Sequence, residues 1–217
     1  MCGRFSQTKS KQDIKKRFNV KKVADEVMPL FNIAPDLSVP VILNESPDEV
    51  TVARWGLVPS WSKEEKSPYS MINARSETLL EKPTYKRLVK NHRCLVIADS
   101  FYEWKKTDGK KQPYRIMLKS DDLFAFAGLW DVWEKEGKKI TSCAIITTSP
   151  NKLMTSIHDR MPAILSPKEE QLWLNEDVER ALRILGPYET KEMKAYPIST
   201  AVNNPLNNFE ELIKPSN

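Results

Sequence analysis

Short apolar runs separated by polar turns dominate the sequence and predict a chain built mainly of β-strands. The predicted strands cover residues 39–43, 50–55, 93–104, 114–118, 123–133, 140–148, 161–165 and 193–198. Helical spacing is confined to short segments at 10–18, 76–80, 83–90, 169–174 and 178–185, with Ser10 and Ser76 as candidate N-caps. Many strands at short spacing, without regular strand–helix alternation, predict an α+β fold. We expect a curved, largely antiparallel sheet or open barrel with short peripheral helices.

The chain of 217 residues shows no internal repeat, low-complexity tract or linker, so we expect a single domain over residues 1–217. A charged stretch at 62–68 is predicted to be a mobile loop. No apolar run reaches the roughly 18 residues of a membrane-spanning helix, and no signal peptide is visible. We therefore expect no membrane association.

Three cysteines at wide spacing argue against a disulfide framework, and Cys94 and Cys143 lie in apolar runs typical of a core. Cys2 differs, because removal of Met1 would leave a 1,2-aminothiol, a free α-amine beside a thiol. The amine condenses with an aldehyde to an imine, and the thiol then closes a thiazolidine ring on the same carbon. Both groups have reference pKa values of roughly 8 to 8.5. The alternative is that Cys2 is a small buried apolar residue.

The net charge of +5 is unevenly distributed. Residues 1–22 carry eight Lys and Arg against one Asp, a local charge of +7, which leaves −2 for the rest of the chain. A basic field around the start of the chain favours an anionic partner such as nucleic acid, although a charged run is often only a solvated face. Arg4 places a permanent cation close to Cys2, suited to a phosphate or carboxylate.

Four further polar residues are candidates for chemistry. His158 lies between charged residues at the mouth of a predicted strand, where it is either an acid–base group or a structural histidine bonded to a carboxylate. Glu103 lies among aromatic residues at the end of an apolar strand. Burial there would raise the pKa of its carboxyl, which would suit Glu103 for proton transfer. The alternative is that the strand turns Glu103 outward to solvent. If their segment is extended, Asn73 and Arg75 would share one face, with a hydrogen-bonding amide beside a guanidinium that can bind phosphate. The alternative is an Asn in a turn and an Arg at the surface.

Trp61 lies in a proline-bounded loop beside the charged stretch, which suits a stacking platform for nucleobases, although tryptophan is more usually a core residue. The sequence has no phosphate-binding Gly-rich loop, dinucleotide fingerprint, Cys-x-x-Cys pair or His-Glu-x-x-His motif. We therefore expect no metal and no cofactor.

Six blocks in order resemble the SOS response-associated peptidase (SRAP) family. They are MCGRF at 1–5, FNIAP at 31–35, WGLVPSW at 55–61, INARSET at 72–78, FYEWK at 101–105 and IHDRMP at 157–162, with ISTAVN at 198–203 resembling a C-terminal block. Any one block is weak, but six in order are specific and span nearly the whole chain. The charged stretch at 62–68 matches the family weakly.

The resemblance implies a sensor and shield of abasic sites in single-stranded DNA. The open form of an abasic sugar is an aldehyde, the electrophile that the Cys2 aminothiol requires. The implied product is a thiazolidine DNA–protein crosslink that protects the strand from cleavage. Single-stranded DNA with abasic sites is then the partner, with replication or repair factors as further ones. We expect a monomer, cytoplasmic and nucleoid-associated in a prokaryote or nuclear in a eukaryote.

The resemblance also implies roles for individual residues. Asn73 would orient the amine, His158 would act as acid and base in sugar opening and imine formation, and Glu103 would shuttle protons in ring closure and reversal. The implied DNA contacts are phosphate clamps at Arg4, Arg75 and Arg160 and an apolar surface at Pro40, Trp61 and Trp104.

Two other classes of function stay open. A hydrolase or autopeptidase with an amino-terminal nucleophile would use Cys2 as an acyl acceptor. A noncovalent single-strand-binding module would use basic residues and tryptophans alone, with affinity that falls steeply with salt and does not depend on Cys2.

Overall fold

The computed structural model describes residues 2–65, 71–107 and 109–216. Of the stretch at 62–68 that is predicted to be mobile, residues 66–68 lie outside the described residues. Within the described ranges the strands are β1 Phe5–Gln7, β2 Lys22–Val23, β3 Leu30–Ile33, β4 Ser38–Leu43, β5 Glu49–Trp55, β6 Asn73–Arg75, β7 Arg93–Ala98, β8 Ser100–Thr107, β9 Lys110–Leu118, β10 Phe124–Lys135, β11 Lys138–Thr148, β12 Met161–Pro162, β13 Ile164–Leu165 and β14 Met193–Pro197. The α-helices are α1 Lys11–Phe18, α2 Pro83–Asn91, α3 Pro167–Asn175 and α4 Val178–Arg183. Single 3₁₀ turns cover Ser76–Thr78, Met154–Ser156, Thr190–Glu192, Thr200–Asn203 and Glu210–Ile213.

Five strands close into a barrel. β4 pairs antiparallel with β5 and β7, β7 pairs with β10, and β10 pairs with β11. A parallel pairing of β11 with β5, with Cys143 opposite Trp55, closes the ring. The short strands β2, β6, β12 and β13 extend it at the edges. The predicted α+β class, with a curved, mainly antiparallel sheet and short helices, is confirmed, and the sheet is closed.

A second, antiparallel sheet has the strand order β14-β9-β8-β1-β3. The chain passes into it from the barrel at Asp99, whose buried carboxylate accepts hydrogen bonds from Ser6 Oγ (2.5 Å) and from the backbone nitrogen and hydroxyl of Thr8 (2.6 and 2.5 Å). This network turns the chain from one sheet to the other. The single predicted strand over 93–104 is therefore wrong at residue 99, where β7 ends and β8 has yet to begin.

Alternation along the barrel strands separates two cores. Residues of alternate parity from all five barrel strands form one cluster with Cys2 and Phe5, among them Val39, Val41, Ala53, Trp55, Cys94, Val96, Phe126, Cys143 and Ile145. The opposite faces pack under the helices, in a cluster that includes Ile14, Leu88 and Trp173. The barrel is tight at Gly128, where a Cβ would lie 2.8 Å from Cys94 Sγ and 3.2 Å from Ala144 O.

Two smaller predictions are also wrong. The predicted strand 161–165 is two short strands, because the chain moves from pairing with β11 to pairing with β10; the bridging Ala163 donates to Ile146 O and accepts from Ala127 N. The segment at 76–80 is a 3₁₀ turn over Ser76–Thr78, and Ser76 does not cap it, since Arg75 occupies the N-cap position without a side-chain hydrogen bond. Ser10, by contrast, caps α1 in a capping box with Asp13, as predicted.

Candidate active site

Cys2 lies just before β1 and belongs to the cluster of the barrel interior. It is 0% exposed, and its Sγ donates to Arg4 O at 3.7 Å. Burial, followed by the nearby charge of Glu103, raises the pKa of the Cys2 thiol. The thiol is thus held in its neutral form, so it requires a base before it can act as a nucleophile.

Asn73 holds the main chain of Cys2. It lies on β6, beside Ile145 of β11, and its Nδ2 donates to Cys2 O at 2.8 Å. The Tyr85 hydroxyl of α2 donates to Asn73 O at 3.3 Å, which fixes the strand from its other side. The Oδ1 atom of Asn73 is buried and has no hydrogen-bond partner among the residues that the structure describes. A buried amide oxygen of this kind is an acceptor available to a nearby donor.

Glu103 and His158 form an acid–base pair in the same region. β8 carries Glu103 inward, where it is 3% exposed, and His158 Nε2 lies 4.0 Å from Glu103 Oε2. Burial raises the pKa of the Glu103 carboxyl, and the neighbouring His158 limits the rise. Since the charge of Glu103 also acts on the Cys2 thiol, this carboxylate interacts with both the thiol and the imidazole.

The orientation of His158 is set by the chain around it. Its backbone nitrogen donates to Met154 O at 2.8 Å, from the preceding 3₁₀ turn. The Arg160 backbone nitrogen donates to His158 Nδ1 at 3.1 Å, which leaves the proton of the neutral ring on Nε2, facing Glu103. Asp159 Oδ1 lies 2.9 Å from the same Nδ1, and because its side chain is 88% exposed, this contact is screened by water.

The three arginines predicted to clamp phosphates differ in their surroundings. The Arg4 guanidinium donates to Asn32 Oδ1 (2.8 Å) and Val202 O (2.7 Å), and burial lowers its pKa. Arg160 donates to both carboxylate oxygens of Glu77 (2.6 and 2.9 Å) and also to Thr147 O (2.7 Å). Arg75 is exposed and makes no side-chain hydrogen bond or ion pair with any described residue. Of the three, Arg75 alone presents an uncommitted guanidinium.

The apolar residues predicted to contact DNA also separate. Trp61 is 68% exposed. Trp104 is partly buried, and its indole Nε1 donates to Asn203 Oδ1 at 2.7 Å, so it ties β8 to the C-terminal segment. Pro40 is buried in β4, opposite Val52 of β5. A contact between Pro40 and DNA stays a prediction.

The basic field predicted for residues 1–22 is half paired. Four of its eight cations pair with acidic residues from elsewhere in the chain, at 2.7, 3.5, 2.7 and 2.5 Å: Lys9 with Asp121, Lys11 with Asp25, Arg17 with Glu170, and Lys21 with Asp48. Arg17 is used structurally, since both oxygens of the buried Glu170 accept hydrogen bonds from it. Lys15, Lys16 and Lys22 make no side-chain hydrogen bond or ion pair with a described residue, so an anion-binding surface in this segment stays a prediction.

Three residues with structural roles at the site were missed by the sequence reasoning. Asn32 accepts from Arg4 and donates to Asn204 O and Asn207 O (3.0 and 2.9 Å), which fastens the C-terminal segment to β3. Glu77 holds Arg160, and Asp131 holds the Trp61 loop, since its Oδ2 accepts from Ser60 N at 2.8 Å. Asn32 and Glu77 lie inside family-like blocks, which is a usable signal, whereas Asp131 lies in a strand with no such mark.

Among the described residues no group of three or more His, Cys, Asp or Glu side chains is arranged to hold a metal ion. Within the same ranges, no helix is both long and apolar enough to cross a membrane.

A five-stranded barrel with a buried cysteine at position 2, an amide on its main chain and a carboxylate–imidazole pair beside it defines a protein equipped for nucleophilic chemistry with proton transfer. The chain belongs to the SRAP family, because the family described as SOS response associated peptidase matches residues 1–205.

Named relatives and solved structures agree with this assignment. The chain is 47% identical over 222 residues to the abasic site processing protein YoqW of Bacillus subtilis, covering 99% of both chains. It is 35% identical to the abasic site processing protein HMCES of Xenopus tropicalis, covering 97% of this chain and 77% of that one. A crystal structure of a protein from Bacteroides thetaiotaomicron superposes with a TM-score of 0.89 at 28% identity, covering 99% of this chain and 100% of the other.

Proposed function

We propose that this protein senses and shields abasic sites in single-stranded DNA by forming a covalent crosslink through Cys2. The observation that carries the proposal is the convergence of three groups on Cys2: the Asn73 amide on its carbonyl (2.8 Å), the Glu103 charge on its thiol, and His158 at 4.0 Å from Glu103. The substrate is supported by the names of the relatives, which are abasic site processing proteins.

The proposed reaction begins with Cys2 as the first residue of the chain. Its α-amine attacks the aldehyde carbon of the open abasic sugar, and loss of water gives an imine. Sγ then adds to the imine carbon while a proton passes to the nitrogen, which closes a thiazolidine. The net change is the loss of one water, so no oxidant, reductant or cofactor is required. Ring closure diverts the imine from β-elimination, which would cut the strand.

Proton transfer is assigned to the Glu103–His158 pair. The Cys2 thiol has a raised pKa and has to lose its proton in ring closure, and Glu103 is the carboxylate whose charge reaches it. The pKa of Glu103 is itself raised by burial, which brings it closer to that of a useful base. His158, whose Nε2 lies 4.0 Å from Glu103 Oε2, is the proposed acid: as an imidazolium it gives a proton to the departing hydroxyl, which leaves as water, and the neutral ring remains. The unpartnered Oδ1 of Asn73 is the proposed acceptor for the amine.

The proposed DNA contacts begin with the exposed residues Arg75, for phosphates, and Trp61, for base stacking. Arg160 contributes when a phosphate displaces Glu77. Arg4 and Trp104 act mainly by fastening the C-terminal segment beside the site, since their polar atoms are bonded to Val202 O and Asn203 Oδ1.

The test is intact-mass spectrometry after mixing the protein with single-stranded DNA that carries one abasic site. The expected product is the sum of the protein without Met1 and the DNA, less one water, and it survives denaturation. DNA with an intact base gives none. Cys2→Ala keeps the amine but not the thiol, so it should give an adduct only when borohydride reduces the imine. An equally stable adduct from Cys2→Ala without borohydride would refute ring closure.

The two alternatives give different outcomes in the same assay. A hydrolase with Cys2 as acyl acceptor would label with thiol-directed acylating probes and leave abasic DNA unmodified; its support is the word peptidase in the family description. A noncovalent binder would show no adduct, and its affinity for DNA would be unchanged in Cys2→Ala.

A further inference from the structure

The hairpin of β8 and β9 extends beyond the sheet to which it belongs. β1 pairs with β8 at Ser100 and Phe101, and Tyr102 N donates to Arg4 O at 2.9 Å. On the other edge, β14 pairs with β9 as far as Tyr114, and Ile198 continues the contact by bonding to Pro113 O (3.0 Å) and to the Gln112 side chain (2.8 Å). Past these contacts the described residues of the hairpin form a two-stranded ribbon in which Lys105 pairs with Gln112 and Lys106 with Lys111. The end of the ribbon therefore extends past the contacts that hold its base.

The ribbon is strongly basic. Residues 105–112 contain four lysines against one aspartate, Asp108, a net charge of +3. Asp108 lies outside the described residues. None of the side chains of Lys105, Lys106, Lys110 and Lys111 makes an ion pair or hydrogen bond with a residue that the structure describes. Three of them are exposed and Lys105 is partly buried.

The arrangement of these lysines is unfavourable for the free protein. Lys106 and Lys111 are direct cross-strand partners, so both side chains emerge on the same face of the ribbon. Like charges directly opposite each other destabilise a strand pair, and a two-stranded hairpin is only marginally stable alone. A bound polyanion would relieve this repulsion. The contrast with residues 1–22 is clear, because there half of the cations already have acidic partners within the chain.

The ribbon begins at the proposed active site. Lys105 follows Glu103 by two residues on β8, and its side chain leaves the strand on the same face. At about 3.3 Å per residue, Lys105 lies about 7 Å and the Lys106–Lys111 pair about 10 Å along the strand from Glu103. The Lys106–Lys111 pair emerges on the other face of the ribbon from Glu103 and Lys105, because side chains alternate along a strand. With a rise of about 3.4 Å per nucleotide in a stacked strand, these distances correspond to roughly two to three nucleotides.

We propose that the lysine ribbon, formed by Lys105, Lys106, Lys110 and Lys111, binds backbone phosphates of the DNA strand roughly two to three nucleotides to one side of the abasic nucleotide. This site rests on the proposed function for its ligand and extends it, since it defines a second anchor separate from Arg75. The contacts are to phosphates, so the ribbon adds affinity without sequence preference and makes binding more sensitive to salt.

The variant Lys106→Gln with Lys111→Gln tests the ribbon, and Lys15→Gln with Lys16→Gln is the matched control. The control loses the same charge on α1, whose Ile14 packs in the core on the helical side of the barrel. Binding is measured by fluorescence anisotropy over a salt series, with DNA that carries a tetrahydrofuran abasic analogue. This analogue cannot form an imine, so the assay does not depend on the crosslinking chemistry.

The ribbon variant should lose about 1.4 from the slope of log affinity against log salt, because each phosphate contact to a single strand contributes about 0.7. The control should match the wild type. Trimming the DNA to one nucleotide on one side of the analogue, tested on each side in turn, should abolish the difference for one of the two trims. The unfolding temperature of the ribbon variant should equal or exceed that of the wild type, because the opposed charges are gone.

Equal slopes for ribbon variant and wild type, or an equal loss in the control, would overturn the proposal. Its failure is distinguishable from failure of the proposed function. If wild-type protein gives no adduct with a true abasic site, the crosslinking chemistry is wrong, while the salt slopes still report on the ribbon. If crosslinking is intact and the slopes are equal, the ribbon alone is wrong.

Discussion

Substitution of the exposed Trp61 side chain should change the affinity for DNA while leaving the free energy of unfolding nearly unchanged. Its neighbours are anchored on both sides: Ser60 N donates to Asp131 Oδ2 at 2.8 Å, and Ser62 O accepts from Trp133 Nε1 at 2.9 Å. Both anchors come from β10, two residues apart, so the strand holds the loop at two points. Trp61 itself is 68% exposed. We expect the loop to present this indole to a nucleobase at little further cost in conformational entropy.

The expected magnitudes follow from these contacts. Trp61→Ala removes a mainly exposed side chain, so the free energy of unfolding should change by less than about 0.5 kcal/mol. Loss of one stacked base should weaken DNA binding by about 1–3 kcal/mol, or roughly 5- to 150-fold in Kd. Trp133→Phe removes one anchoring hydrogen bond. It should lower stability by about 0.5–1.5 kcal/mol and weaken binding less than Trp61→Ala does.

The assay is anisotropy with DNA carrying the tetrahydrofuran analogue, together with urea unfolding of each variant. Met28→Ala is the control, since Met28 is another largely exposed apolar residue, 62% exposed, and should alter neither quantity. Unchanged affinity in Trp61→Ala would refute the stacking role. A loss of stability in Trp61→Ala as large as its loss of binding would show that the indole supports the loop instead of the ligand.

Three further predictions concern the site and the barrel. Burial raises the pKa of the Glu103 carboxyl, so the stability that this carboxyl contributes is present below its unfolded pKa of about 4.3 and is lost as pH rises through its folded pKa. Glu103→Gln should therefore raise the unfolding temperature at about pH 8 but not at about pH 3.5. An equal rise at both pH values would contradict this. Glu77→Gln should release Arg160 for phosphate binding and steepen the slope of log affinity for DNA against log salt by about 0.7. Destabilisation without any change in that slope would mean that the Glu77–Arg160 pair is purely structural. Gly128→Ala should destabilise by about 1–3 kcal/mol in urea unfolding, because the new methyl group would lie 2.8 Å from Cys94 Sγ; a neutral result would mean that the barrel widens freely.

Much of the fold was predictable from local patterns. Apolar runs marked most of the strands, because strand formation and burial depend on neighbouring residues and alternation. The cap of α1 followed from Ser10, a side chain that acts within its own turn. The predictions failed where the chain changes partners. Asp99 interrupts an apolar run, but its partners Ser6 and Thr8 lie far away in the chain, so its turn between two sheets is not visible locally. Ala163, which bridges two strands, does not differ in its local sequence from a residue inside one continuous strand.

The same division applies to the site. The sequence by itself determined the chemical inventory: a cysteine at position 2, one histidine and three carboxylates in family-like blocks, and a proline-bounded loop around Trp61. Only the tertiary structure decided which charges are free. Arg160 and the cations near the start of the chain looked available in the sequence, but their acidic partners lie far along the chain and meet them only when the barrel closes. Pairing over such distances depends on strand order and register, which local composition does not encode. For that reason the cations without acidic partners, Arg75 and the lysine ribbon among them, could be identified only in the folded chain.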